Sequence, residues 1–242
     1  MKRIATCLAL TLVVALAIPG LMTAALADTG TRATHGQTIV ATSGHVYLVL
    51  TGGEGCILYA LPVGGDTLSQ VDTAPQIDEG VAVGDVMYYL RQDGARYEIV
   101  ALDDLGNKRT VAAFGDGEIA HMLRYYDGAL YTLINGQLHK AAIEGDNNVS
   151  KVSDRLMNEY TISDGVVYYV STEDTKDYTH ASLLENSDKD QIEQSAGMLY
   201  AMLTDGSNDT LILAQGVDTL IAHSGYLYFH NLNDNYVMAS SD

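Results

Sequence analysis

Runs of four to eight residues rich in Val, Ile, Leu, Tyr and Thr alternate along this chain with clusters of turn chemistry. Branched and aromatic side chains pack well on a pleated surface, so runs of this length predict strands. In one stretch the predicted strands are about 79–84, 86–91, 97–102 and 108–114. The separators Tyr126-Asp127-Gly128, Ser163-Asp164-Gly165 and Thr204-Asp205-Gly206-Ser207 each place a glycine where a hairpin needs positive φ. No stretch after residue 27 sustains a helical period.

The strand pattern repeats. Five phrases end in tyrosine: Gly44-His45-Val46-Tyr47, Asp85-Val86-Met87-Tyr88, Gly128-Ala129-Leu130-Tyr131, Gly165-Val166-Val167-Tyr168 and Gly225-Tyr226-Leu227-Tyr228. Successive tyrosines lie 41, 43, 37 and 60 residues apart. A second phrase follows each, at Leu58-Tyr59-Ala60-Leu61, Ile99-Val100-Ala101-Leu102, Leu138-His139-Lys140-Ala141, Leu199-Tyr200-Ala201-Met202 and Val237-Met238-Ala239-Ser240. Seven residues after each of the first four phrases begins comes Gly65, Gly106, Gly145 or Gly206. Two landmarks in one register imply like-built modules at about 37–73, 79–114, 119–154, 160–215 and 217–242.

A four-stranded module cannot bury both faces of its own sheet, so neighbours must cover it. Units of this size arrange radially as propeller blades. The expected fold is therefore all-β: a small or incomplete β-propeller of about five four-stranded blades. The recurring tyrosine becomes a between-blade residue, each burial contributing roughly 1.5–3 kcal/mol.

Residues 1–27 read as a signal peptide. Lys2-Arg3 precedes an apolar run from Leu8 to Leu26 that is broken by Pro19-Gly20 and ends in Ala25-Leu26-Ala27. Its removal moves the net charge from −18 to −20 and leaves 28–242 as a secreted or cell-surface β-repeat domain. That acidity argues against nucleic acid and anionic bilayers as partners, and no membrane insertion is expected after cleavage. One cysteine, Cys56, remains; it cannot form an intrachain disulfide and is expected as a small buried hydrophobe.

The pairs Tyr88-Tyr89, Tyr168-Tyr169 and Tyr228-Phe229, with Leu203-Thr204-Asp205-Gly206-Ser207, resemble the low-density-lipoprotein-receptor-like β-propeller repeats of exported bacterial proteins. The resemblance spans about residues 37–242 and implies a ring-shaped interaction domain without a shared active site. Such rings usually hold six or more blades, whereas five modules are counted here and the fifth stops after its third strand. Strand exchange, with residues 28–36 supplying the missing outer strand, would close the ring. An unclosed edge would instead offer pairing groups to another chain, as in an edge-strand homodimer.

Catalytic signatures are missing from the sequence: no Gly-x-Ser-x-Gly, phosphate-binding glycine loop, His-Glu-x-x-His or Cys-x-x-Cys occurs. No catalytic residue, metal site or cofactor is therefore assigned. Calcium is the one cation whose ligand types cluster, in Asn231-Leu232-Asn233-Asp234-Asn235 and Gly145-Asp146-Asn147-Asn148, but neither follows the twelve-residue calcium loop. The acidic pairs Asp78-Glu79, Asp103-Asp104 and Glu173-Asp174 read as solvated turn residues.

The most individual stretch is an insertion at about 172–194 in the fourth module, long enough to be functional or disordered rather than a neutral connector. Its candidate binding residues are Tyr178, His180, Leu183 and Leu184. A second candidate surface is Arg124 with Tyr125 and Tyr126, read as exposed. The leading functional reading is a non-catalytic scaffold binding an extracellular protein or glycan through loops on one face. The alternative is an extracellular polysaccharide hydrolase or lyase with a central carboxylate site, which two or three carboxylates beside an arginine would favour.

Overall fold

The computed structural model describes residues 34–35, 39–52, 55–144, 149–173, 197–223, 225–231 and 236–241. Every regular element among them is a strand. A first antiparallel sheet contains β2 (Ile39–Ala41), β3 (His45–Gly52), β4 (Gly55–Pro62) and β5 (Ser69–Ala74). The second contains β6 (Ile77–Val83), β7 (Val86–Asp93), β8 (Arg96–Asp103) and β9 (Lys108–Ala113).

The remaining strands form one continuous ladder: β10 (Ala120–Tyr126), β11 (Ala129–Ile134), β12 (Gln137–Ala142), β13 (Val149–Ser163), β14 (Val166–Ser171), β15 (Gly197–Leu203), β16 (Thr210–His223), β17 (Tyr226–Asn231) and β18 (Tyr236–Ser241). Two of these strands belong to two units at once. The first half of β13 pairs with β12 and its second half, from Met157, with β14. Likewise β16 pairs first with β15 and then, from Val217, with β17. The ladder thus curls through the third, fourth and fifth units of a β-propeller.

The five repeat tyrosines occupy one position in five successive units. Each sits on the second strand, opposite a residue seven places earlier on the first: Tyr47 faces Val40, Tyr88 faces Val81, Tyr131 faces Arg124, Tyr168 faces Thr161 and Tyr228 faces Ile221. On the third strand the partners are Ala60, Ala101, Lys140, Ala201 and Ala239. The constant separation follows from a constant two-residue turn. In the third and fourth units that turn is Asp-Gly with both residues at positive φ (Asp127 44°, Gly128 74°; Asp164 49°, Gly165 82°), the geometry that matches strand twist.

Four hydrophobic clusters join the units in order. Tyr47 packs with Met87 and Tyr89 of the second sheet, and Tyr88 with Leu123 and Leu130 of the third unit. Tyr131 packs with Tyr160 and Tyr169 of the fourth, and Tyr168 against Leu227 and Phe229 of the fifth. Adjacent residues such as Tyr88 and Tyr89 therefore bury on opposite faces of one sheet. Cys56 lies buried in β4, with its Sγ 3.5 Å from Thr51 Oγ1.

Strand exchange as expected is not what Thr34–His35 does. This short β1 pairs with β10, Thr34 opposite Tyr125 and His35 opposite Arg124, rather than with β18. The inner edge of β10 is unpaired by its own unit and takes the segment up. The insertion residues Tyr178, His180, Leu183 and Leu184, and the calcium candidates at 145–148 and 232–235, lie outside the described residues.

Candidate functional site

In a propeller the first strand of each blade lines the axis. Here β6 packs against β2 and β10, β10 against β13, and β13 against β16. Each of these first strands, from β6 onward, breaks register within two residues of the one opposite its repeat tyrosine: between Ile77 and Gly80, His121 and Arg124, Met157 and Glu159, and Val217 and Leu220. Bulges bend a strand and re-aim its side chains. The one in β10 holds Met122 at a φ of 62°, with Tyr160 Oη donating to its carbonyl at 2.7 Å. The titratable residues in these bulges are Asp78, Glu79, His121, Arg124, Glu159 and Asp218, which gathers ionisable groups of four units at the axis.

Arg124 is the centre of this group. Its repeat position carries Val40, Val81, Thr161 or Ile221 in the other units, and it is correspondingly only 4% exposed. Nη1 donates to Glu79 Oε2 at 2.7 Å and to the Leu123 carbonyl at 2.9 Å. Its Cζ lies 5.6 Å from the centre of the Tyr160 ring. Nη2 is 4.0 Å from Glu159 Oε1, beyond hydrogen-bond reach, and the buried Nε has no hydrogen-bond partner. One edge of the guanidinium fork is therefore unused.

The carboxylates outnumber the cation they surround. Burial raises the Glu159 carboxyl to about 7; Arg124 opposes the rise, while Glu79 and Asp218 add to it. Burial also raises Asp78, with Gln76 pulling it back and Glu79 adding to the rise. Burial lowers the His121 imidazole although Glu79 and Asp78 favour its charged form. Asp218 Oδ1 lies 3.0 Å from His230 Nδ1. The axial group thus combines desolvated acceptors with a donor edge left over.

Of the residues singled out from sequence, Arg124 enters this site from the interior rather than from an exposed surface. Tyr125 and Tyr126 are half-buried, packed against the cores on either side of the third unit. The acidic pairs also depart from expectation. Glu79 grips Arg124, and Asp104 clamps the first hairpin, accepting from Thr42 Oγ1 at 2.6 Å and Gly44 N at 3.0 Å. Glu173 pairs with Arg155 at 3.0 Å. Sequence reasoning missed Glu159 and took Glu79 for a solvated turn residue, although both stand nine residues before a repeat tyrosine, and that shared offset is the available signal.

Two other polar features are structural. Asp72 is buried between the first two sheets and is held by Tyr89 Oη at 2.6 Å, Arg91 Nη1 at 3.0 Å and Lys108 Nζ at 3.0 Å. A cavity of about 220 Å³ beside edge strand β9 is lined by Arg91, Val100, Lys108, Arg109 and Thr110, with Arg91 and Lys108 already paired to Asp72 and Glu98. Among the described residues no group of three or more His, Cys, Asp or Glu is placed to hold a metal ion, and no helix is long and apolar enough to cross a membrane.

No family model and no curated protein matches this sequence. Solved structures do. An oligogalacturonate lyase in complex with manganese superposes with a TM-score of 0.51 at 8% identity, over 86% of this chain and 66% of that one. TolB from Acinetobacter baumannii gives 0.45 at 10% identity, over 81% of this chain and 52% of its own. The nidogen/laminin complex gives 0.42 at 12% identity, over 88% of this chain and 89% of that one. This chain spans little more than half the length of that TolB. Identities this low speak to the fold alone, and the fold rests on the lyase superposition together with the sheets described above: the chain is an all-β propeller-type repeat protein.

Proposed function

We propose that this protein is an exported, non-catalytic β-propeller scaffold that binds a protein partner on its axial face. We read its repeats as the low-density-lipoprotein-receptor-like type, on the Tyr-aromatic pairs of β7, β14 and β17. The observation that carries the reading is that the axial carboxylates of Glu79, Glu159 and Asp218 are partly exposed while Arg124, 4% exposed and paired to Glu79, is closed to a ligand. Such a site offers charged acceptors. A polypeptide answers them with basic side chains and backbone N–H groups. The net charge of −18 favours the same class of partner by steering cations inward.

The test is a pair of arrays, one of peptides and one of neutral and acidic glycans, probed with the wild-type protein and with Asp218→Asn. The reading expects peptide binding that weakens in the variant. Binding confined to glycans, or peptide binding indifferent to Asp218, would overturn it.

A polysaccharide-cleaving activity is the second reading, favoured by the carboxylates of Glu79, Glu159 and Asp218 around Arg124, the arrangement expected of a central carboxylate site. Glu159, with its carboxyl near 7 beside an arginine, can hold or release a proton at neutral pH, as a general acid or base must. Release of new reducing ends from a polysaccharide panel, abolished by Glu159→Gln, would establish it.

A further inference from the structure

The axial site already holds one extended segment, the chain's own. β1 lies antiparallel on β10, with His35 opposite Arg124 and Thr34 opposite Tyr125. The bulge between His121 and Arg124 leaves Arg124–Tyr126 as the regular stretch of that edge, and the two-residue ladder engages Arg124 and Tyr125. Two paired residues form a weak attachment, because each ordered residue costs roughly 1–2 kcal/mol of backbone entropy and gains little beyond its hydrogen bonds. An incoming extended segment could take the place of β1 on Arg124–Tyr126 and reach past it along the axial site, the mode by which extended peptides add to exposed sheet edges.

The surroundings select what that strand carries. Side chains of an added strand alternate between the two faces of the sheet. On the two sides of β10 stand the first strands β6 and β13, which contribute Asp78 and Glu79 on one side and Glu159 on the other, with Asp218 beyond it. Arg124 is the nearby cation and is already paired to Glu79. Basic side chains at alternate positions would meet carboxylates on both sides, while acidic ones would meet uncompensated like charge.

We infer that the inner edge of β10 is a strand-addition site for an extended basic segment of a partner protein, and that β1 is an intrachain occupant which the partner displaces. The inference rests on the binding reading above and names the partner's form and the device that restrains its entry. β1 lowers the apparent affinity by the fraction of time it is seated.

The probe is a twelve-residue peptide of alternating Lys and Thr, its Glu/Thr counterpart, and the Lys/Thr peptide N-methylated at alternate residues so that charge is kept and one row of ladder donors is lost. Each is titrated against the full chain by fluorescence anisotropy. The Lys/Thr peptide is expected to bind and the other two to bind at least about tenfold more weakly, since a single lost order of magnitude corresponds to 1.4 kcal/mol. The double variant Thr34→Pro/His35→Pro, which cannot keep β1 in the ladder, is expected to bind the Lys/Thr peptide severalfold more tightly, and Asp218→Asn severalfold more weakly. Equal binding of the N-methylated peptide would overturn strand addition, and an unchanged affinity in the proline variant would overturn the role of β1. Both of those outcomes leave the axial binding reading standing, whereas indifference of every peptide to Asp218→Asn removes that reading as well.

Discussion

Arg124 Nη1 donates to Glu79 Oε2 at 2.7 Å across the boundary between the second and third units, at a repeat position that is aliphatic in the first, second and fifth. The pair is an insertion of charge into a seam built for valine. Glu79 is 34% exposed on its side chain and can rehydrate when left alone, whereas Arg124 cannot. Removing one partner of a buried pair leaves the other uncompensated, and replacing the buried charge with a hydrophobe of the right shape is often neutral. Glu79→Ala is therefore expected to cost about 2–3 kcal/mol, partly relieved by Glu159. Arg124→Val is expected to stay within about 1 kcal/mol of wild type, and the double variant to resemble Arg124→Val. Urea unfolding of the three variants measures this, and an Arg124→Val loss larger than that of Glu79→Ala would contradict it.

Glu159 supplies a pH dependence with a definite sign. Its folded carboxyl lies near 7, above its ordinary value of 4.5, because burial penalises the charged form. Its protonated form is the one folding favours. The associated stability is fully present below about 4.5 and is lost as the pH rises through about 7. Glu159→Gln is expected to raise stability at pH 8 by about 1–3 kcal/mol and to flatten the dependence between these limits. Thermal melts at pH 5 and pH 8 check it, and a variant that loses stability at pH 8 would show that the ionised carboxylate is needed by Arg124.

Asp72 works in the opposite direction. Burial alone would raise its carboxyl, but the Tyr89 hydroxyl, Lys108 and Arg91 outweigh burial and hold it below the usual aspartate range. Its contribution is fully present above that range and is lost as the pH falls below it and through the lowered folded value. Tyr89→Phe removes a buried hydrogen bond to a charged acceptor, expected to cost about 1.5–3 kcal/mol at pH 7 and less at pH 3. Equal losses at both pH values would mean that the ring's packing, not its hydroxyl, sets the cost.

Local chemistry made the fold legible. The tyrosine phrase, the phrase of the third strand and the trailing glycine all report hairpin geometry, and hairpin geometry is set by a few adjacent residues. Gly106 and Gly206, singled out by spacing, both take a φ of 84° and donate to the carbonyl three residues earlier, in matching turns. The axial site was less legible because it depends on bulges, and a bulge is decided by both strands of a pair and by what lies across the axis. Arg124 shows the difficulty. Next to two tyrosines and three residues before Asp127, it reads as a loop-flanking surface residue, yet the register places it opposite Tyr131 in a packed seam. The continuity of β13 and β16 from one unit into the next was hidden for a related reason. A strand that changes partners at Met157 or Val217 carries no local mark of the change.

The same repeat position carries opposite costs in the second and fifth units. Val81 and Ile221 both stand opposite the repeat tyrosine of their unit, yet Val81 is 1% exposed and Ile221 is 50% exposed. Val81 is covered by the third unit. Ile221 shares its face with Tyr226, itself 47% exposed and tilted against Tyr228 at a ring separation of 6.2 Å. Truncation of a covered aliphatic loses transfer energy and leaves a cavity, whereas truncation of an open one loses little of either. Val81→Ala is therefore expected to cost about 1.5–3 kcal/mol and Ile221→Ala no more than about 0.5 kcal/mol. The contrast also reports on assembly, because a partner or second copy seated on the fifth unit would bury Ile221 as the third unit buries Val81. Chemical denaturation at low and at high protein concentration separates the cases. An Ile221→Ala cost as large as that of Val81→Ala at both concentrations would contradict the exposure of Ile221, and a cost that grows with concentration would place a covering surface on another molecule.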